Sequence, residues 1–281
     1  MNIGIVGLGL IGGSLARTLK VNTAHLVYAC DRDPAAVEKA RDINAIDGIL
    51  DEDTIGDCQV ILVALYPQNV VDWLTEHGAQ IMPGTLVVDC AGVKRLVCSG
   101  VRPLAKRYGW RFLGGHPMAG KEKSGFDNTS AELFLGASMI LTPEEDTDDL
   151  AIRDAAALFI SMGFGGVRVS TPEEHDHMIA YTSQLAHVLS SAYVKSPSAM
   201  RHQGFSAGSF RDMTRVATMN VDMWTELFLA NAEPLALETE ALAARLMEYA
   251  IAIRTKNEGA LRALLEEGTR IKDAVNKGGK R

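Results

Sequence analysis

The sequence predicts an α/β fold, in which a doubly wound, mostly parallel sheet over residues 1–170 is followed by an all-α domain over 171–281. Three observations predict it. Short apolar runs alternate with helical stretches from residue 2 to about 169, the pattern of successive βαβ units. Beyond Pro172 the apolar spacing becomes three and four, with Met178, Tyr181, Leu185, Val188 and Ala192 on one expected amphipathic stripe. A chain of 281 residues, 47% hydrophobic and 22% charged, also has the size and composition of an ordinary globular protein of two domains, at roughly 100–200 residues per domain.

The first strand is expected at 3–6, and Gly7-Leu8-Gly9-Leu10-Ile11-Gly12 follows it and opens a helix. That is the context of a dinucleotide-binding fingerprint in a Rossmann-type domain. Gly7 permits the tight turn, Gly9 lets backbone approach a pyrophosphate, and Gly12 allows close helix–strand packing. The helix start offers free N–H groups and the positive end of its dipole to phosphates. Asp31 ends the second expected strand, 26–30, where a carboxylate accepts both ribose hydroxyls and repels a 2′-phosphate, so NAD is the expected cofactor. Arg32 adjoins it, and Asp33-Pro34 has the form of a helix N-cap with proline at the first helical position, so the acids could instead serve capping. Further strands are expected at 60–64, 86–89, 111–114, 139–141 and 166–169. The Ala-, Leu- and Glu-rich stretch 230–265 should form long helices broken near Pro234, and the tail 277–281 reads as a solvated end. Long helices make a thin core alone, so this region is expected to pack on the first domain and on a second copy.

A net charge of -7 and a pI near 5.5 argue against a nucleic-acid binder and favour a small-molecule substrate. No apolar run approaches the ~20 residues of a membrane span. No basic stretch precedes the first apolar run, so it does not read as a signal peptide. Cys30, Cys58, Cys90 and Cys98 lack metal-site or redox-motif spacing and read as reduced thiols of a cytoplasmic protein.

Two further blocks carry chemistry. Gly114-Gly115-His116-Pro117-Met118-Ala119-Gly120 follows an expected strand, and ligands of parallel sheets collect at the carboxyl ends of strands. A histidine there can accept a proton near neutral pH, or can be a loop residue bonded to backbone. Arg211 and Arg215, in Phe210-Arg-Asp-Met-Thr-Arg215-Val-Ala, share a face if that segment is helical, and a guanidinium fork suits a carboxylate. They could instead pair with Asp212, Asp222 or Glu226, the better reading for Arg211.

With the fingerprint, Glu122 and Ser124-Gly125, these blocks resemble the prephenate/arogenate dehydrogenase family from residue 1 to about 265. The resemblance implies a Rossmann domain joined to a helical substrate-binding and dimerisation domain, and a homodimer. It implies oxidative decarboxylation of a cyclohexadienol on the route to tyrosine, with His116 accepting the C4 hydroxyl proton. Arg215 would grip the ring carboxylate. Lys94, in Asp89-Cys-Ala-Gly-Val-Lys94, matches the family's active-site lysine, adding positive charge for a dianionic substrate; an exposed lysine at a helix start is the alternative. Gly208 and Trp224 match groups that the partner subunit supplies, and His175, beside Asp176 and His177, also matches a family position and is counted by the resemblance, with Ser183, Gln184 and His187, among the substrate-binding residues. Residues two apart do not face each other on a helix, so no metal site is expected there.

Two departures stand out. Where many relatives have Gly-Ser-Val-Lys this chain has Ala91-Gly92-Val93-Lys94, without the serine hydroxyl. Where many have Ser-His-x-Pro-His it reads Ser183-Gln184-Leu185-Ala186-His187, so a substrate-facing histidine becomes Gln184. A neutral amide supplies no acid for the ammonium of arogenate, which favours prephenate. A β-hydroxyacid dehydrogenase using Lys195, or a non-catalytic NAD(H) sensor, would share the architecture without needing His116 and Arg215 together.

Overall fold

The computed structural model describes residues 1–278 and divides into two compact units, Met1–Ala232 and Glu233–Arg281. In the first, β1 (Asn2–Val6), β2 (Leu26–Cys30), β3 (Gly48–Ile49), β4 (Val60–Val63), β5 (Leu86–Asp89), β6 (Arg111–Pro117), β7 (Ser138–Thr142) and β8 (Gly166–Val169) build an eight-stranded sheet in the order β3-β2-β1-β4-β5-β6-β7-β8. Pairing is parallel except between β6 and β7. Seven of these strands stand where the apolar runs place them. Gly48–Ile49 is too short to leave an alternation signal. β1 lies between β2 and β4, so the chain winds first to one side and then to the other, leaving a ligand crevice at the strand ends.

β6 runs three residues beyond its expected end, because Gly114, Gly115, His116 and Pro117 pair with Thr142, Leu141, Ile140 and Met139. His116 is therefore a strand residue rather than a loop residue. Gly115 precedes it where a Cβ would lie 2.5 Å from the Asp89 carbonyl.

The central strands are buried on both faces and read as continuous apolar runs. Ile3, Ile5, Val60, Leu62, Leu86 and Val88 face one core, where Leu15 and Leu19 of α1 (Leu10–Asn22), Ala36 and Ala40 of α2 (Pro34–Asp42), and Phe159 of α5 (Asp149–Ser161) cover them. Val6, Ile61, Val63 and Val87 face the other, under α3 (Pro67–His77) and α4 (Arg95–Tyr108). Each fully buried Leu, Ile or Val contributes about 1.5–3 kcal/mol, so the two layers hold the strand ends rigid.

After β8 the chain enters α6 (Pro172–Ile179), capped by Thr171, whose hydroxyl accepts from the Glu174 N–H at 3.1 Å. A five-residue π turn, Ala180–Gln184, joins it to α7 (Leu185–Val194), and α8 (Gly208–Thr214) and α9 (Val221–Ala230) follow. This corrects the expected stripe. Met178 and Tyr181 are 46% and 56% exposed, whereas His175, Asp176, Ile179, Ala180 and Gln184 are buried. The wider turn rotates the helix face, so inward positions are four and then five apart. Because α6 packs on α4 and α9 on α3, the compact unit extends to Ala232, past the seam expected at 170/171.

The second unit holds most of α10 (Ala232–Arg254) and α11 (Glu258–Gly278), where the Tyr249 hydroxyl donates to the Leu264 carbonyl at 3.1 Å. The expected break near Pro234 falls at Asn231, between α9 and α10; Pro234 itself lies inside α10. It sits in the first turn, where a missing N–H costs nothing. A second break comes at 255–257, with Lys256 at φ 51°. Of the expected tail, residues 279–281 lie outside the described residues. Among the described residues no helix is long and apolar enough to cross a membrane.

Candidate active site

A cleft of about 1290 Å³ opens at the carboxyl ends of β1, β2, β4, β5 and β6. At one end lies the glycine turn. Gly7 has φ +89° and donates to the Cys30 carbonyl at 2.8 Å, and a Cβ on Gly12 would sit 1.8 Å from the Gly7 carbonyl oxygen. No atom lies within 4 Å of the Cβ position of Gly9, and no side chain caps α1. Its first N–H groups therefore stay available beside Leu8, Gly9, Leu10 and Ile11, all of which line the cleft. Asp31 accepts from the Leu8 N–H at 2.6 Å and the Asp33 N–H at 2.8 Å, which leaves carboxylate lone pairs for a ligand. Capping of α2 falls to Asp33, which accepts from Ala35 at 3.0 Å, so Asp31 is not spent on it; Arg32 lines the same rim. These features fit a pyrophosphate and a ribose diol. Cys30 also lines the cleft, and burial pushes its thiol up to about 11, which keeps it protonated.

His116 projects into the cleft from the end of β6. Its Nδ1 lies 2.9 Å from Nε2 of His175, whose Nδ1 lies 2.7 Å from the Asp176 carboxylate. Burial, then the neighbouring His175 and Lys94, hold His116 well below the ordinary histidine range. His175 is buried behind His116 and does not line the cleft, so it does not touch a substrate as the resemblance implies.

Lys94 also departs from its expected place. It is neither a charge facing the cleft nor an exposed lysine: its side chain is fully buried, donating to the Asp89 carboxylate and, at 2.5 Å, to the Gly115 carbonyl. Asp89 in turn accepts from the N–H groups of Ala91 at 2.9 Å and Gly115 at 3.2 Å. Burial pushes its carboxyl up, against the pull of Lys94. The pair braces the β6 backbone one residue before His116.

Arg215 also lines the cleft; it lies just after α8, in a 3₁₀ turn, and so leaves the helix face of Arg211. It pairs with Glu122 at 2.9 Å. A backbone N–H and then Arg215 hold Glu122 below the usual carboxylate range. His187 bonds the Ser183 carbonyl through Nδ1 at 3.0 Å and stacks on Trp224, ring centroids 3.8 Å apart. Burial lowers its pKa. Trp224 thus lines the cleft of its own chain, where the resemblance implied the partner's. Gly208 opens α8 and does not line the cleft, nor does Lys195 at the end of α7.

Gln184 borders the cleft, but its amide is committed to protein. It donates to the Leu227 carbonyl at 3.1 Å and accepts from Asn231 at 2.8 Å. A Cβ on Gly92 would meet Leu227 at 3.1 Å, so Leu227 occupies the space beside the missing serine. Sequence reasoning assigned no role to Glu122, Leu227, Asn231 or Asp176. Only Glu122 left a signal, by its place beside the histidine block.

The prephenate dehydrogenase nucleotide-binding domain matches residues 15–167, and the prephenate dehydrogenase dimerization domain matches 171–267. A cyclohexadienyl dehydrogenase of Zymomonas mobilis is 28% identical, over 98% of this chain and 96% of the relative. The structure of A. aeolicus prephenate dehydrogenase in complex with hydroxyphenyl propionate and NAD+ superimposes with a TM-score of 0.85 at 27% identity, covering 98% of each chain. Synechocystis arogenate dehydrogenase gives 0.83 at 27% identity, covering 98% of this chain and all of that one. Two family domains matched in order across most of the chain, on a fold shared nearly end to end, show that it belongs to the prephenate dehydrogenase family.

Proposed function

We propose that the chain converts prephenate to 4-hydroxyphenylpyruvate and CO2. It is an NAD-dependent oxidoreductase of tyrosine biosynthesis, as its family is. One observation carries the substrate reading: His116 and Arg215 line the same cleft as the glycine turn. Gly7 to Gly12 and the start of α1 would hold the pyrophosphate, with Asp31 and Arg32 at the adenosine ribose. When bound, NAD supplies the acceptor for the C4 hydride. His116 takes the C4 hydroxyl proton, the C1 carboxylate leaves as CO2 with its bond electrons entering the ring, and the phenolate so formed recovers the proton. Arg215 holds the ring carboxylate until it departs, and Ser183, Gln184, His187 and Trp224 shape the wall for the rest of the substrate.

A second reading is arogenate as substrate. The Glu122 carboxylate beside Arg215 favours it, since an acid there suits an ammonium. NADH formation from NAD with prephenate and arogenate in parallel, and with NADP as control, decides between them. Turnover of prephenate is expected, and activity confined to arogenate would transfer the side-chain site to Glu122. Loss of both would refute the reading. Arg215→Ala should raise the KM for prephenate roughly 10–100-fold, the weight of a charge-assisted hydrogen bond, with a smaller change in kcat. An unchanged KM would remove Arg215 from the carboxylate site.

The division of labour follows the seam at 170/171, with 1–170 for NAD and 171–281 for substrate and dimerisation. The homodimer reading is supported by Leu246, Ile251, Ile271 and Val275, all more than half exposed on α10 and α11 of the single chain. Sedimentation should give a dimer, and a monomer at micromolar concentration would contradict it. The four free thiols suit a reducing cytoplasm.

A further inference from the structure

We propose that Asp176 and His175 are positioning residues that fix His116 in the tautomer a base requires and carry the charge it acquires. The proposal rests on the reading of His116 as the base. A carboxylate only accepts hydrogen bonds, so the 2.7 Å contact places the proton of His175 on Nδ1. His175 Nε2 is then a lone pair, and the 2.9 Å contact makes His116 Nδ1 the donor. That leaves the lone pair of a neutral His116 on Nε2, the nitrogen not engaged by His175. Both rings are held neutral by burial, against which the Asp176 carboxylate pulls upward on His175. When His116 accepts the substrate proton, it becomes an imidazolium whose Nδ1–H still donates to His175, one ring from the carboxylate. No proton has to move along the chain, and the one accepted returns to the phenolate.

Asp176 cannot turn away. Its carboxylate takes the N–H groups of Lys94 at 2.7 Å and Arg95 at 2.9 Å. Its carbonyl accepts from Asn231 at 2.7 Å, and Asn231 is tied to Gln184 in the cleft wall. The charged groups around the two rings are Asp176 from α6, Lys94 and Arg95 at the start of α4, and Asp89 at the end of β5. Lys94 is neutralised by Asp89, and Arg95 lies 3.6 Å from the outer oxygen of Asp176. With Gly92 offering no hydroxyl, His175 is the side chain that orients the base.

Two measurements on the full-length protein test this. In spectra of 15N-histidine-labelled protein at neutral pH, His116 should carry its proton on Nδ1, and that state should be lost in His175→Phe. In assays with prephenate and NAD, His175→Phe should lower kcat roughly 10²-fold with little change in KM. His175→Gln, whose carbonyl can still accept from His116, should recover part of it. Asp176→Asn should move the acid limb of the kcat profile to lower pH, because the imidazolium loses its counter-charge. A buried residue of merely structural worth would lower stability without moving that limb. If His175→Phe keeps the wild-type kcat and acid limb while His116→Asn collapses, the positioning role is wrong and the base stands. If His116→Asn also turns over normally, the base reading itself has failed. Should Asp176→Asn or His175→Phe not fold, the wild-type tautomer decides, and a proton on Nε2 overturns the proposal.

Discussion

His116→Asn should lower kcat by roughly 10²–10⁴-fold, the range for a positioned general base, while NAD and prephenate bind almost as before. Asparagine can keep a hydrogen bond to His175 but cannot take a proton. Stopped-flow NADH formation with separate titration of NADH fluorescence separates the two effects, and normal turnover would remove His116 from the mechanism. The pH dependence has a fixed sign. His116 lies well below the ordinary histidine value of 6.5, so it is a free base throughout the neutral range, and kcat should fall only when pH drops through that lowered pKa. Stability follows the same direction. His116 and His175 both titrate lower when folded, so below 6.5 the unfolded chain binds protons that the folded one refuses. The stability they contribute is present above the unfolded value and is lost as pH falls toward the folded values. Urea midpoints from pH 7 to 5 should decline, and the decline should be shallower in His175→Phe.

Lys94→Ala should cost about 3–5 kcal/mol of folding stability, as expected when one partner of a buried ion pair is removed. The Asp89 carboxylate would remain fully buried with only backbone N–H donors, and the Gly115 carbonyl would lose its partner. Against a total of about 5–15 kcal/mol for a typical domain, such a loss brings the fold close to its threshold. Urea unfolding measures it, and Lys94→Ala with Asp89→Asn should be less destabilised than Lys94→Ala alone, because no charge is then stranded. A stable Lys94→Ala protein with a raised KM for prephenate would show instead that the ammonium serves the substrate directly.

What the sequence revealed and what it hid divide along physical lines. The glycine turn, Asp31 and seven strands were legible because each depends on residues adjacent in the chain. The length of β6 was not, since Gly114 to Pro117 are extended by pairing with β7, a segment recognisable only as a separate short run. Lys94 was placed facing the substrate because it matches the family's active-site lysine, and only the fold brings Asp89 and Gly115 around its ammonium. His175 was assigned to the substrate because its position matched a family site, whereas its ring points at His116, 59 residues away in sequence. Trp224 and His187 were both named, but their stacking within one chain depends on how α9 returns over α7.

The π turn at Ala180–Gln184 spends one residue more than an α-helical turn would. Deleting a single residue there would let the helix close into regular winding of about 3.6 residues per turn, with the inward positions four and four apart instead of four and five. His175 and Asp176 lie upstream, and His187 and the rest of α7 would keep the face they present. The turn therefore takes up one residue of chain between two halves of one helix without turning either half off its neighbours. A one-residue deletion at this joint should be tolerated, whereas the same deletion inside α7 would rotate everything after it by about 100°.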